Sequence, residues 1–126
     1  MPTIRNYRDL LVWQKSMDLS AVVYRLIESL PKQEDYGLKA QIRRAVVSIP
    51  ANIAEGHGRD HLGDYLRHLS IAKGSLAELE THLHLCVRLN YLGDQLIAEP
   101  LRSADEISRM LNGLSSSLRK NLKPDT

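Results

Sequence analysis

The sequence predicts an all-α fold, an antiparallel up-down-up-down four-helix bundle, and three observations carry the prediction. Apolar residues recur at intervals of three and four through four successive segments of the 126-residue chain. Short polar or glycine-containing connectors separate those segments, which favours antiparallel neighbours. No stretch alternates with a period of two, so nothing in the chain reads as a strand.

The first helix is expected over about 9–30, with Asp9 as its N-cap. Trp13, Met17, Ala21 and Tyr24 form one apolar stripe, and Leu19, Val22 or Val23, Leu26 and Leu30 form another beside it. Pro31 ends the helix, and PKQEDYG is a polar loop. A second helix over about 36–56 places Leu38, Ile42, Ala45, Ile49 and Ile53 on one face, with a kink expected near Pro50. The third, about 59–90, repeats Leu62, Leu69, Leu76 and Leu83 every seven residues, with Tyr65, Ala72, Leu79 and Cys86 offset by three, the seam of left-handed bundle packing. Asn90 to Gly93 closes it, and Asp94 is placed to cap a fourth helix over about 94–118. There Ile97, Ala104, Leu111 and Leu118 lie seven apart, with Ile107 and Leu114 between, and Pro100 is expected to kink or break the first turns. The tail, 119–126, is expected to fray.

Composition narrows the class. One domain over 1–126 is long enough for a single hydrophobic core without disulfides or metals. Hydrophobic residues make up 43% and charged residues 25%, and no apolar run approaches the ~20 residues of a membrane span, so no membrane association is expected. MPTIRNYRDL lacks a signal-type apolar core, and the single Cys86 has no partner within the chain, so a cytoplasmic location is expected. Cys86 reads as a small buried apolar residue. One Trp, five Tyr and no Phe argue against a large stacking platform for nucleic acid. The net charge of +2 is low for a dedicated nucleic-acid binder.

The segment Ser48 to Arg59, SIPANIAEGHGR, carries an unusual number of helix breakers. Pro50 removes the amide that would bond the carbonyl of Val46, at a cost of about 3 kcal/mol in a plain helix interior. Ser48, Asn52 and Glu55, each about one turn from the next, lie on a strip beside the apolar face, placed to satisfy the freed backbone groups or to bond across to the third helix. Gly74 and Ser75 are small residues on that helix and are expected to let the two backbones approach closely. Gly56 is expected as a C-cap, with Gly58 giving the turn its free torsions. The plain reading is a kinked helix with a satisfied polar cluster; the sharper one is a ligand site at the kink.

The same residues carry a family resemblance. QIRRAVVSIPANIAEGHGR, preceded by YRDLLVWQKSMDL and followed by YLRHLSIAKGSLAELETHLHL, resembles the small four-helix-bundle proteins first described as encoded by intervening sequences of bacterial 23S ribosomal RNA, over about Tyr7 to Leu118. The resemblance implies a closed bundle, assembly into homo-pentamers, and kinship with the accessory protein of diversity-generating retroelements. That protein acts with a reverse transcriptase and binds nucleic acid.

Candidate functional residues follow. Arg43 and Arg44 lie off the apolar stripe of the second helix, Arg59 at the start of the third, and Arg67 and Lys73 on its outer faces. On neighbouring subunits they would form a positive ring, with five copies carrying five times the +2 of one. Such a ring would bind RNA or DNA through phosphates, with strong salt dependence and no base specificity. The plain alternative is a solvated face with local ion pairs such as Glu55 with Arg59. Leu66, Ile71, Leu85 and Leu89 lie off the heptad seam and are candidates for a subunit interface; the alternative is a wide core-facing stripe. His57 and His61 are four apart, but HExxH is absent and Gly58 intervenes, while His82 and His84 cannot share a helical face. No nucleophile elbow, phosphate loop, dinucleotide fingerprint or CxxC pair occurs. No metal, no cofactor and no enzymatic activity are therefore expected. Two functions stand: an oligomeric nucleic-acid-associated accessory protein, and a structural or protein-interaction module without nucleic-acid binding of its own.

Overall fold

The computed structural model of the chain describes residues 4–122. Four helices account for most of it: α1 Leu11–Leu26, α2 Leu38–His57, α3 Leu62–Arg88 and α4 Asp94–Leu122. Among the described residues there is no strand. Helix α1 packs against α2 and α4, and α3 packs against the same two, so the four enclose one core. That core takes Val12, Leu19 and Val23 from α1, Ile42, Val46, Ile49 and Ile53 from α2, Leu69, Leu76, Leu79 and Leu83 from α3, and Ile97, Ala104, Ile107 and Leu111 from α4. Its spacing is that of helices packed along a continuous apolar seam.

Helix α1 departs from expectation at both ends and along its face. Asp9 does not cap it. The Asp9 carboxylate accepts from the amides of Arg5 and Asn6 at 2.8 and 3.3 Å, closing a capping box on a 3-10 turn at Tyr7–Asp9. At the far end a 3-10 turn, Ile27–Ser29, follows the α-helix and buries Ile27. Of the two apolar stripes, the one through Leu19, Val23 and Leu30 is buried, while Met17, Ala21, Val22 and Tyr24 are exposed. The buried face is completed by Ser16 and Ser20, whose hydroxyls bond back to the carbonyls of Val12 and Ser16. Those serines interrupt the apolar pattern on the buried side.

The two internal prolines are accommodated without a break. Helix α2 is continuous across Pro50, and α4 runs from Asp94 through Pro100. Both proline rings are buried. The end of α3 is set by Asn90, a non-glycine residue at φ 61°, after which the amides of Tyr91 and Leu92 turn back to the Cys86 carbonyl. The Tyr91 hydroxyl then donates to Glu34 at 2.9 Å, tying this corner to the turn before α2. Helix α4 continues to Leu122, beyond the expected 118; the rest of the tail, 123–126, lies outside the described residues.

Candidate functional site

The breakers in α2 build a polar seam against α3. The Asn52 side-chain amide nitrogen donates to the Ser48 carbonyl at 2.8 Å and to the Ser48 hydroxyl at 3.0 Å. With its nitrogen so committed, its oxygen accepts from His68 Nδ1 at 2.9 Å. The Ser75 hydroxyl donates to that of Ser48 at 2.9 Å. Glu55 lies 3.8 Å from His68 and accepts from Arg59 at 3.3 Å. Since Ser48 meets Ser75 and Asn52 meets His68, sequence rises along α2 as it falls along α3. Ser48, Asn52 and Ser75 are thus bonded to one another or to His68, and the cluster fixes the register of two helices. His68, which the sequence reading did not single out, is its centre; its Nε2 is buried without a partner.

Of the two roles expected for Ser48, Asn52 and Glu55, the structure shows the bonds across to α3, while the carbonyl that Pro50 frees, that of Val46, is met by the Ser20 hydroxyl of α1 at 3.2 Å. The expectations about the glycines are corrected. The close approach of α2 and α3 occurs at Gly56, where an added Cβ would lie 2.8 Å from the His68 Cβ; at Gly74 it would meet nothing within 4 Å. Gly56 is inside α2 rather than its C-cap, and Gly58, which does cap it, has an ordinary φ of −82°.

The five candidate cations are not gathered into one patch. Arg59 is paired with Glu55, and Lys73 crosses to α4, where it donates to Asn112 at 3.1 Å. Arg67 is exposed on α3. Arg43 and Arg44 do sit together. The Arg43 guanidinium carbon lies 5.5 Å from the centre of the Tyr24 ring, and neither arginine has a carboxylate partner among the described residues. Tyr24, Arg43, Arg44, Val47 and Ser48 line an open hollow between α1 and α2. Tyr24 and Val47 were missed in the sequence because Tyr24 stood in an apolar stripe with Trp13, Met17 and Ala21, and Val47 carried no signal of its own.

A second hollow, between α1 and α4, has the opposite character: Asp18, Glu99 and Glu106 line it, with Lys15 bonded to Glu106 at 2.9 Å. Of the candidate interface residues, Leu66 is half-buried, whereas Ile71, Leu85 and Leu89 are 41%, 42% and 46% exposed. Among the described residues no three His, Cys, Asp or Glu side chains cluster as a metal site, and no helix is long and apolar enough to cross a membrane. The His57 ring meets Tyr65 edge to face, 5.8 Å between centres.

Comparison with known proteins adds a lineage to this geometry. No curated protein matches the chain. Among solved structures it is similar to a protein of unknown function from the S23 ribosomal protein family of Bacteroides thetaiotaomicron VPI-5482, at 25% identity and a TM-score of 0.75, over 83% of this chain and 98% of that one. The family model for the 23S rRNA-intervening sequence protein matches residues 8–113, and with the shared bundle this means that the chain belongs to that family.

Proposed function

We propose that this protein is a non-enzymatic, oligomeric bundle that binds structured RNA or DNA through phosphates at the α1–α2 face, as an accessory to another nucleic-acid-handling protein. The observation that carries the reading is the Arg43–Arg44 pair: adjacent, without carboxylate partners among the described residues, and held beside an exposed tyrosine. A guanidinium not engaged by an acid keeps its donors for phosphate oxygens. The family resemblance implies kinship with the retroelement accessory protein, which is in line with the same reading and suggests a reverse transcriptase as the partner and a homo-pentamer as the assembly. The test is charge reversal. Arg43→Glu with Arg44→Glu should weaken binding to a stem-loop RNA and to a DNA duplex while circular dichroism stays helical; unchanged affinity would remove these arginines from the contact.

A protein-interaction role is favoured by a different observation, the exposure of Ile71 and Leu85 on α3 and of Leu89 at its C-terminal cap. Under that reading Leu85→Lys or Leu89→Lys alters the mass in solution, and the arginine reversal is silent. An unaltered mass counts against α3 as the assembly surface.

A further inference from the structure

The hollow between α1 and α2 is more than a pair of charges. Tyr24 is 39% exposed and Val47 is 43% exposed, so an aromatic ring, covered on one side by the Arg43 guanidinium, and an aliphatic side chain are partly open to solvent together. Arg43 lies over the ring, and its Nε is buried without a partner, so the guanidinium is seated by the tyrosine and not by an ion pair. Arg44 is exposed beside it. A flat apolar shelf rimmed by two cations fits a ligand that is itself flat and apolar on one part and anionic on the next.

We propose that this hollow takes a single unpaired nucleobase, laid on the shelf formed by Tyr24 and Val47, with the adjoining phosphate on Arg44. The inference rests on the nucleic-acid reading above and narrows its ligand to single strands and loops. In a continuous duplex the base faces are stacked on one another and closed to a side chain, so only the phosphates reach Arg44. In a loop or single strand the base is free to stack, and every base has a π-face, so the site selects unpaired over paired nucleic acid without reading sequence.

The test compares fluorescence anisotropy of an unstructured single strand, an abasic strand with the same phosphates, and a duplex of equal length. The wild type should bind the base-bearing strand most tightly. Tyr24→Leu should lower that affinity roughly tenfold, the scale of one lost base stack, leave duplex and abasic binding unchanged, and be reversed by Tyr24→Trp. Arg44→Gln should weaken all three. Equal wild-type binding of abasic and base-bearing strands would overturn the base site, whatever the stability of the variants. So would loss from Arg44→Gln with none from Tyr24→Leu, which leaves phosphate binding standing. No wild-type binding to any strand at low salt would overturn both.

Discussion

A methyl group added at Gly56 would lie 2.8 Å from the His68 Cβ and 3.0 Å from the Tyr65 ring, and neither of those atoms is the free end of a flexible chain. Gly56→Ala should therefore destabilise the fold by about 1–3 kcal/mol, the cost of overpacking a tight contact. Gly74→Ala, in open space on an exposed helical turn, should stabilise it by about 0.5–1 kcal/mol, because alanine loses less backbone freedom on folding. Urea unfolding of the two variants checks both signs; equal shifts would mean that α2 and α3 do not meet at Gly56. At Cys86, burial first and the nearby Glu34 charge second push the thiol from 9.0 up to about 11. The native protein should thus resist alkylation at pH 8 and react once unfolded, since the thiolate is the reactive form. In the window between those two values the unfolded chain releases the proton that the folded one keeps, so the Cys86 contribution to stability declines as pH rises through it. Rapid native alkylation at pH 8 would contradict the buried assignment.

Helix α2 shows how an element can tolerate a proline when a neighbour supplies the missing donor. The Ser20 hydroxyl shares its proton between the Ser16 carbonyl at 2.8 Å and the Val46 carbonyl at 3.2 Å. Ser20→Ala should cost about 1–2 kcal/mol by leaving the Val46 carbonyl unmet, and the cost should shrink when Pro50→Ala restores the amide within α2. A double-mutant cycle measures this coupling; strictly additive losses would show that Ser20 does not serve Val46. The apolar faces of α2, α3 and α4 were legible because Ile42, Ile49, Leu69, Leu76 and Leu111 keep a helical period without interruption. The α1 face was not, because Ser16 and Ser20 stand on its buried side and Met17 and Tyr24 on its outer one. The polar seam was legible as Ser48, Asn52 and Ser75, residues that bond locally or across a close contact. Its centre, His68, was not, since a histidine among surface-like residues carries no sign of burial until α2 is placed against it.

At the scale of the whole molecule, a net charge of +2 conceals two unlike faces. Between α1 and α2 lie Arg43 and Arg44 without carboxylate partners among the described residues; between α1 and α4 lie Asp18, Glu99 and Glu106, with Lys15 bonded to Glu106. A polyanion should approach the first face and avoid the second, and symmetric assembly would repeat that preference around a ring. Of the five candidate cations in the sequence, Arg59 and Lys73 are engaged elsewhere and Arg67 is exposed on α3, which leaves Arg43 and Arg44 as the adjacent pair with no ion-pair partner among the described residues. The most direct test is the salt dependence of stem-loop RNA binding by the wild type and by Arg43→Gln with Arg44→Gln. The account predicts a steep linear fall of log affinity with log salt for the wild type, and a slope shallower by about 1.5–2 per binding subunit for the variant, the signature of two lost phosphate contacts. Superimposable lines from two equally helical proteins would contradict it.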